Sequence, residues 1–157
     1  GWRARHLRTL QARYGHLPHG PQILAQLAPH YAEAPEERLA TVNLRLLRTL
    51  VSLLGLRTPL ICASQLIAAG QGSRHLLDLV RAAGGSAYLS GPSGQSYLDE
   101  KLFTQFGIPI HYGHYEPIAY PQRGCPAFVP GLSIVDALCS TGIEATRDRL
   151  LSYRRDR

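Results

Sequence analysis

Between residues 60 and 112 the sequence alternates short apolar runs with amphipathic stretches, and this alternation constrains the fold more than any other feature. The apolar runs predict three strands and the stretches between them predict two helices: strands at 60–63, 87–89 and 108–112, helices at 73–83 and 97–106. Strands separated by single helices favour β-α-β units and a parallel sheet. We therefore predict an α/β fold, with a small parallel sheet flanked by helices. Because three strands are few for such a sheet, we expect further strands upstream of this sequence.

The first part of the chain, residues 1–55, carries apolar residues at helical spacing and predicts a helical N-terminal segment. Three helices are expected in it, at residues 2–14, 21–31 and 35–54. The third has Pro35, Glu36 and Glu37 in its first turn, where the helix dipole favours acidic side chains, and Gly55 after its last turn.

After the third predicted strand comes a long irregular segment, residues 114–131, followed by two predicted helices at 132–139 and 143–153. Loops of this length inside a compact domain are usually functional or disordered. Tyr115, Tyr120 and Phe128 argue against disorder, because disordered segments are poor in aromatic residues. We predict one domain over residues 1–157, with four parts: 1–55, 56–113, 114–131 and 132–157.

Apolar runs and cysteine spacing predict the compartment of the protein and the redox state of its cysteines. No apolar run is long enough to cross a bilayer, and the first residues lack the apolar core of a signal peptide. Cys62, Cys125 and Cys139 are odd in number and widely spaced, which is typical neither of a disulfide framework nor of a zinc site. We expect a cytoplasmic protein with reduced thiols, no metal, no cofactor and no membrane insertion. Because the sequence contains no Met, we also expect a missing N-terminal part of the same chain.

The net charge of +6 comes almost entirely from arginine, with Lys101 as the one lysine. The arginines concentrate near the two ends of the chain, whereas residues 88–142 hold many of the aromatic side chains. A nucleic-acid module normally places basic and aromatic residues together on one face. We therefore expect no nucleic-acid partner.

A polar segment, residues 90–96, lies between a predicted strand and a predicted helix. At the carboxyl edge of a parallel sheet, glycines let the backbone approach a ligand, and free N–H groups favour an anion or polar oxygen. Ser90, Gly91 and Ser93 are therefore candidate binding residues. An ordinary turn, with Ser96 as the N-cap and Asp99 in the first helical turn, is an equally good interpretation.

Two histidines stand at the exit of the third predicted strand. Alternation places His111 on the same face as Gly113 and opposite Tyr112. His114 follows the strand end, and its ordinary pKa suits proton transfer near neutrality, so it is a candidate general base. A structural or merely exposed histidine is the alternative.

The last constellation combines Tyr120 and Gln122 with Ser133 and Asp136. Ser133 and Asp136 resemble a capping box, in which both side chains serve the start of a helix. The functional interpretation has Asp136 orienting a histidine or binding a substrate amine or hydroxyl. Cys125 is a less favoured nucleophile, because no base is visible beside it.

Taken together, these residues resemble the WbqC-like protein family. The resemblance lies mainly in a block from Tyr88 to Gly142 and extends to upstream helical positions: Tyr88-Leu89-Ser90-Gly91-Pro92, Tyr97-Leu98-Asp99, Phe103, Gly107-Ile108, Tyr120-Pro121-Gln122, Phe128, Leu132 to Leu138, Gly142, Trp2, His6, Tyr14, Leu39 and Asn43. It implies genes of O-antigen and other surface-glycan clusters and a suggested glycine (aminoacyl) transferase role. Such an enzyme joins an activated acyl group, possibly carrier-bound, to an amino-sugar or similar amine.

This chemistry needs a base for the amine, donors for the oxyanion and a pocket for the sugar. We assign catalytic roles to His114 and Asp136. The predicted substrate-binding residues are Ser90, Gly91, Ser93, Tyr97, Tyr120, Gln122 and Ser133. The alternative function is a non-catalytic domain that binds a nucleotide-sugar or a carrier protein.

Overall fold

A computed structural model describes residues 1–32 and 38–152. The chain divides into two compact units, which we call the helical unit (Gly1–Thr58 with the described part of Pro117–Arg157) and the α/β unit (Pro59–Glu116). The helices and strands of the described residues are α1 (Trp2–Tyr14), α2 (Gly20–Leu27), α3 (Leu39–Leu53), α4 (Gly72–Ala82), β1 (Tyr88–Ser90), α5 (Glu100–Gln105), β2 (Ile110–Tyr112) and α6 (Ile134–Ser152). Short 3-10 turns cover Ala28–Tyr31, Ala63–Gln65 and Pro92–Ser96.

The helical unit is built from α1, α2, α3 and α6, as the apolar periodicity predicts. Ile23 and Leu27 of α2 pack in one core with Leu138 and Cys139 of α6, and all four are almost fully buried. Burying an aliphatic side chain of this size contributes about 1.5–3 kcal/mol. The predicted start of the third helix, Pro35 to Glu37, lies outside the described residues.

Arg147 of α6 holds the C-terminal end of α3. Its Nε donates to the carbonyl of Leu54 at 2.7 Å, and its Nη2 donates to the carbonyl of Leu53 at 3.3 Å. The last carbonyls of a helix have no partner within the helix, so this side chain satisfies two groups that would otherwise lose hydrogen bonds.

Helix α6 is broken at Gly142, whose φ of 83° and ψ of 174° are not helical. The break confirms the prediction of two helices here. A Cβ at this position would lie 2.9 Å from Cε1 of His19, so the ring of His19 occupies the space that a side chain would need. Glycine is therefore required twice, for its backbone conformation and for its missing side chain.

The α/β unit contains a two-stranded parallel sheet, as predicted, with Tyr88 opposite Ile110 and Ser90 opposite Tyr112. Helix α5 connects the two strands, and its Phe103 is fully buried with its ring stacked on Tyr88 at 5.5 Å between centroids. Leu77 of α4 is the other fully buried large side chain of this unit.

Two local predictions in the α/β unit are wrong. Residues 60–63 form no strand: Leu60 and Ile61 are 36% and 54% exposed, so this apolar run lacks the burial that the strand prediction assumed. Helix α5 begins later than predicted, because Asp99 rather than Ser96 is its N-cap. The Asp99 carboxylate accepts from the N–H of Leu102 at 3.1 Å, whereas the Ser96 hydroxyl donates to the carbonyl of Ser93. Residues 114–131, all of them described, contain no helix or strand.

Candidate functional site

The helical unit contains a cavity of about 520 Å³, within the size range of roughly 300–1,000 Å³ that small-molecule sites occupy. The end of α1, the loop at 122–125 and the first turns of α6 form its walls. We call it the polar cavity, because its lining includes Arg13, Tyr14, Gln122, Arg123, Cys125 and Asp136.

Asp136 is the acidic residue of this lining, and the start of α6 positions it. The Ser133 hydroxyl accepts from the N–H of Val135 at 3.3 Å, which confirms Ser133 at the helix start. The carboxylate of Asp136, however, accepts a 2.9 Å hydrogen bond from the hydroxyl of Tyr120. The capping-box interpretation therefore describes Ser133 but not Asp136, whose side chain is directed to the polar cavity.

Three protonated groups surround the Asp136 carboxylate. Burial, together with the hydrogen bond and the charge of Asp136, raises the pKa of Tyr120 to about 12. Burial and then the charge of Asp136 raise the pKa of Tyr14, and the same two causes raise the pKa of Cys139 to about 11. At neutral pH both hydroxyls keep their protons and act as donors, and the thiol of Cys139 is not a nucleophile.

The loop beside the cavity is closed by Gln122. Its Nε2 donates to the carbonyl of Val129 at 3.0 Å, and its Oε1 accepts from the N–H of Val129 at 2.7 Å. Within the loop, Phe128 packs edge-on against the ring of Tyr120 at 5.4 Å. Both ends of the Gln122 amide are thus engaged by the backbone, which fixes the residues between 122 and 129.

A second cavity of about 200 Å³ lies in the same unit and is mainly apolar. Tyr14 and Ser133 line it together with leucine side chains from three helices, namely Leu10, Leu27, Leu46 and Leu50. Tyr14 therefore borders both cavities.

The other predicted binding residues belong to the α/β unit. Ser90 is 4% exposed, and its hydroxyl donates to the carbonyl of Gly91 at 3.1 Å. Ser93 lies in the 3-10 turn after Gly91 and accepts from Ser96 at 2.8 Å. Tyr97 is 63% exposed. The 90–97 segment is thus a tight turn with a buried serine beneath it and an exposed tyrosine at its end.

The two histidines follow the predicted pattern at the strand exit. His111 lies within β2 and is exposed, whereas the neighbouring Tyr112 turns the other way and donates to Glu100 at 2.7 Å. His114 lies beyond the strand end, where its Nε2 is 3.5 Å from the carboxylate of Glu116 in an exposed pair. The structure thus brings Tyr120, Gln122, Ser133 and Asp136 together in the helical unit, and it places His114 in the α/β unit. Their catalytic and binding roles stay predictions.

Comparison with known proteins supports one assignment. The profile of the WbqC-like protein family matches residues 1–148. The chain belongs to this family. It is 33% identical over 144 residues to the uncharacterized protein Rv1507c of Mycobacterium tuberculosis (strain ATCC 25618 / H37Rv). That match covers 92% of this chain and 62% of the relative, so the WbqC-like chain spans about three fifths of the relative's length. No solved structure matches the chain.

Both cavities of the WbqC-like chain lie within the matched span. Five polar residues that line the polar cavity were not predicted from the sequence: Arg13, Tyr14, His16, Arg123 and Ser140. Tyr14 has the helical spacing of an ordinary core position, and its approach to Asp136 is a tertiary contact that no local pattern encodes. Arg123 adjoins Gln122, and this adjacency is the signal that could have found it.

Among residues 1–32 and 38–152 of the WbqC-like chain, no group of three or more His, Cys, Asp or Glu side chains could hold a metal ion. Within the same ranges, every helix is too short or too polar to span a bilayer.

Proposed function

We propose that this WbqC-like protein transfers an aminoacyl group, such as glycyl, to the amine of an amino-sugar or related amine. Such a reaction serves the biosynthesis of a surface glycan, as in an O-antigen, or of a secondary metabolite. The observation that carries the proposal is the Asp136 carboxylate on the wall of a ligand-sized cavity, held by the hydroxyl of Tyr120. A carboxylate in that position binds an ammonium group and accepts a proton from it.

In the proposed reaction, the acceptor nitrogen attacks the carbonyl carbon of an activated acyl donor. A C–N bond forms and the bond between the carbonyl carbon and the donor's leaving group breaks. The nitrogen loses a proton to Asp136, and the leaving group departs with the bonding electron pair. The hydroxyl of Tyr120 keeps its proton, since its pKa is about 12, and donates to Asp136 throughout.

Attack by the acceptor on the donor requires no covalent enzyme intermediate. This fits the Cys139 thiol, which is buried and whose pKa of about 11 keeps it protonated. In the α/β unit, His114 is the second candidate base, and Ser90, Gly91, Ser93 and Tyr97 are candidate substrate contacts. The setting of the proposed reaction is the cytoplasm, where activated and carrier-bound acyl donors are made.

A non-catalytic role is the second candidate. Its support is that Tyr120 and Cys139, which lie beside Asp136, have pKa values raised above their ordinary range, so at neutral pH neither supplies a second base or a nucleophile to complete a catalytic set. Such a domain binds a nucleotide-sugar or a carrier protein and presents it to another active site.

The two candidates separate in one experiment. The purified protein is incubated with glycyl thioesters and glycyl adenylate as donors and with nucleotide-linked amino-sugars as acceptors, and mass spectrometry detects the acylated amine. We expect a product, and we expect kcat/KM to fall at least about tenfold in D136N, because a charge-assisted hydrogen bond to the amine is lost. The matched control is D148N, which removes an exposed carboxylate from the same helix outside the cavity lining.

The variant H114A tests the second base. Unchanged turnover in H114A would remove His114 from the mechanism and leave Asp136 as the base. Absence of product over the whole panel, together with retained binding of an amino-sugar, would select the non-catalytic role.

A further inference from the structure

We propose that the polar cavity binds a diphosphate-bearing ligand, with Arg13 and Arg123 as its phosphate contacts. The inference rests on the proposed function only where it places the acceptor amine at Asp136. The arginine contacts themselves follow from the lining of the cavity.

The two arginines reach the cavity from different segments. Arg13 lies in the last turn of α1, next to Tyr14, whose pKa its charge lowers against the raising effects of burial and Asp136. Arg123 lies in the loop closed by Gln122, and its Nη1 donates to the carbonyl of His16 at 3.3 Å. This bond to the backbone directs the guanidinium toward the end of α1.

Both guanidinium groups have donors to spare. Among the described residues, neither Arg13 nor Arg123 pairs with a carboxylate, although Asp136 lines the same cavity. Each guanidinium carries five N–H donors in a planar fork, which fits phosphate oxygens two at a time.

The charges of the cavity lining favour a diphosphate over a ligand with a single carboxylate. The lining presents two arginines and one aspartate. An amino acid has a single carboxylate and would leave one guanidinium unmatched, whereas a diphosphate carries a negative charge for each. Asp136 repels an anion and attracts a cation, so it orients the ligand with its phosphates toward the arginines and an amine toward the start of α6.

Ser140 supplies a further polar contact. Ser140 lines the polar cavity, and its hydroxyl oxygen is buried with no hydrogen bond within the part of the chain that the structure describes. Buried hydroxyls in folded proteins nearly always have a partner. A hydroxyl of the bound ligand would provide one once the Ser140 side chain rotates toward the cavity.

Isothermal titration calorimetry on the whole protein tests the inference, with four probes: UDP, inorganic pyrophosphate, uridine and glycine. We expect UDP and pyrophosphate to bind at least about tenfold more tightly than uridine and glycine, because only the first two carry phosphates for the arginines. The variants R13Q and R123Q should each weaken UDP binding about tenfold.

The matched control is R8Q, which removes the same charge from an exposed position of α1 that lines neither cavity. Affinity for UDP in R8Q should stay within about twofold of the original value, because an exposed charge outside the site acts only weakly through solvent. Equal affinities for UDP and uridine would overturn the inference, as would losses in R13Q and R123Q no larger than in R8Q. Binding of glycine but not pyrophosphate through the arginines would overturn it in favour of a carboxylate ligand.

Failure of this inference is distinct from failure of the transferase proposal. If R13Q and R123Q abolish UDP binding but no donor gives a product, the phosphate contacts stand and the transferase proposal falls. If the enzyme is active and R13Q/R123Q leaves the KM for a nucleotide-linked amino-sugar unchanged, the transferase proposal stands and the phosphate contacts fall.

Discussion

The hydroxyl of Tyr120 donates a 2.9 Å hydrogen bond to Oδ1 of Asp136, joining the irregular segment at 114–131 to the first turn of α6. This bond fixes the candidate catalytic carboxylate from outside its own helix. The ring of Tyr120 packs against Phe128, so its orientation does not depend on the hydroxyl alone.

The first prediction concerns the stability contributed by this hydrogen bond. Y120F keeps the ring contact and removes this donor, so a partly buried carboxylate loses one of its hydrogen bonds. We expect the free energy of unfolding to fall by about 1.5–3 kcal/mol, measured by urea denaturation. Y97F is the control, because Tyr97 is 63% exposed; its change should stay within about 0.5 kcal/mol. A Y120F protein as stable as the original would contradict this account of the bond.

The second prediction concerns alkaline pH. The pKa of Tyr120 rises from 10.0 in the unfolded chain to about 12 in the folded protein, so between these values the unfolded chain has lost the proton and the folded protein still holds it. The unfolded state is then favoured progressively as pH rises, and stability falls over this window. Below pH 10 the contribution of Tyr120 is fully present.

Urea denaturation between pH 9 and pH 12 measures this loss. We expect a shallower decline in Y120F than in the original protein, because the shifted group is gone. The pKa of Cys139 rises from 9.0 to about 11, so its titration overlaps the same pH range. The comparison is therefore repeated in a C139A background. If stability declines with pH at the same slope whether residue 120 is Tyr or Phe, in the original and in the C139A background, the pKa of Tyr120 is not raised.

The third prediction concerns the cysteines. Cys125 is exposed, whereas Cys139 is fully buried and its thiol stays protonated at neutral pH. Thiolates are the reactive species in alkylation, so Cys125 should react with iodoacetamide much faster than Cys139. Mass spectrometry of the digested protein reports each site over time, and addition of urea should equalise the rates. Early labelling of Cys139 in the folded protein would contradict its burial.

The fourth prediction concerns the break in α6. G142A introduces a Cβ that meets the ring of His19 at 2.9 Å and imposes the φ of 83° on an alanine. We expect a loss of about 2–4 kcal/mol in the free energy of unfolding, from strain and overpacking together.

G131A is the matched control, because Gly131 has a φ of 76° but open space where its Cβ would lie. It should lose only about 1 kcal/mol, the cost of the backbone conformation. In the double variant H19A/G142A the overpacking is relieved, so its loss in the free energy of unfolding should be smaller than the sum of the losses in H19A and G142A. Simple additivity would show that His19 does not cause the effect.

Local patterns predicted the helices and the parallel pairing of β1 and β2, because periodicity and glycine stops are properties of short segments. They failed at residues 60–63, where an apolar run is exposed and therefore carries no information about strand pairing. They also placed the start of α5 at Ser96, because Ser and Asp are both good N-caps and only the geometry of Asp99 distinguishes them.

Only the part of the candidate site that lies within one short stretch of sequence could be predicted. Tyr120, Gln122, Ser133 and Asp136 lie close together in the sequence, so their proximity in the helical unit could be anticipated. Arg13 and Tyr14 come from α1 and join Asp136 in the lining of the polar cavity only through the packing of α1 against α2 and α6. Helix packing of this kind depends on the complete core, which no single segment specifies.

Gln122 has a consequence for ligand affinity that its contacts do not suggest. Because its amide closes the loop on Val129, the entropy of ordering Arg123 and Cys125 is already lost when the protein folds. In Q122A a ligand would have to order that loop on binding. Calorimetry would then show a less favourable binding entropy, because the cost of ordering the loop would be met on binding and not on folding. Loop closure and ligand binding are therefore linked equilibria. Gln122 favours the closed loop and thereby lowers the entropy cost of ligand binding.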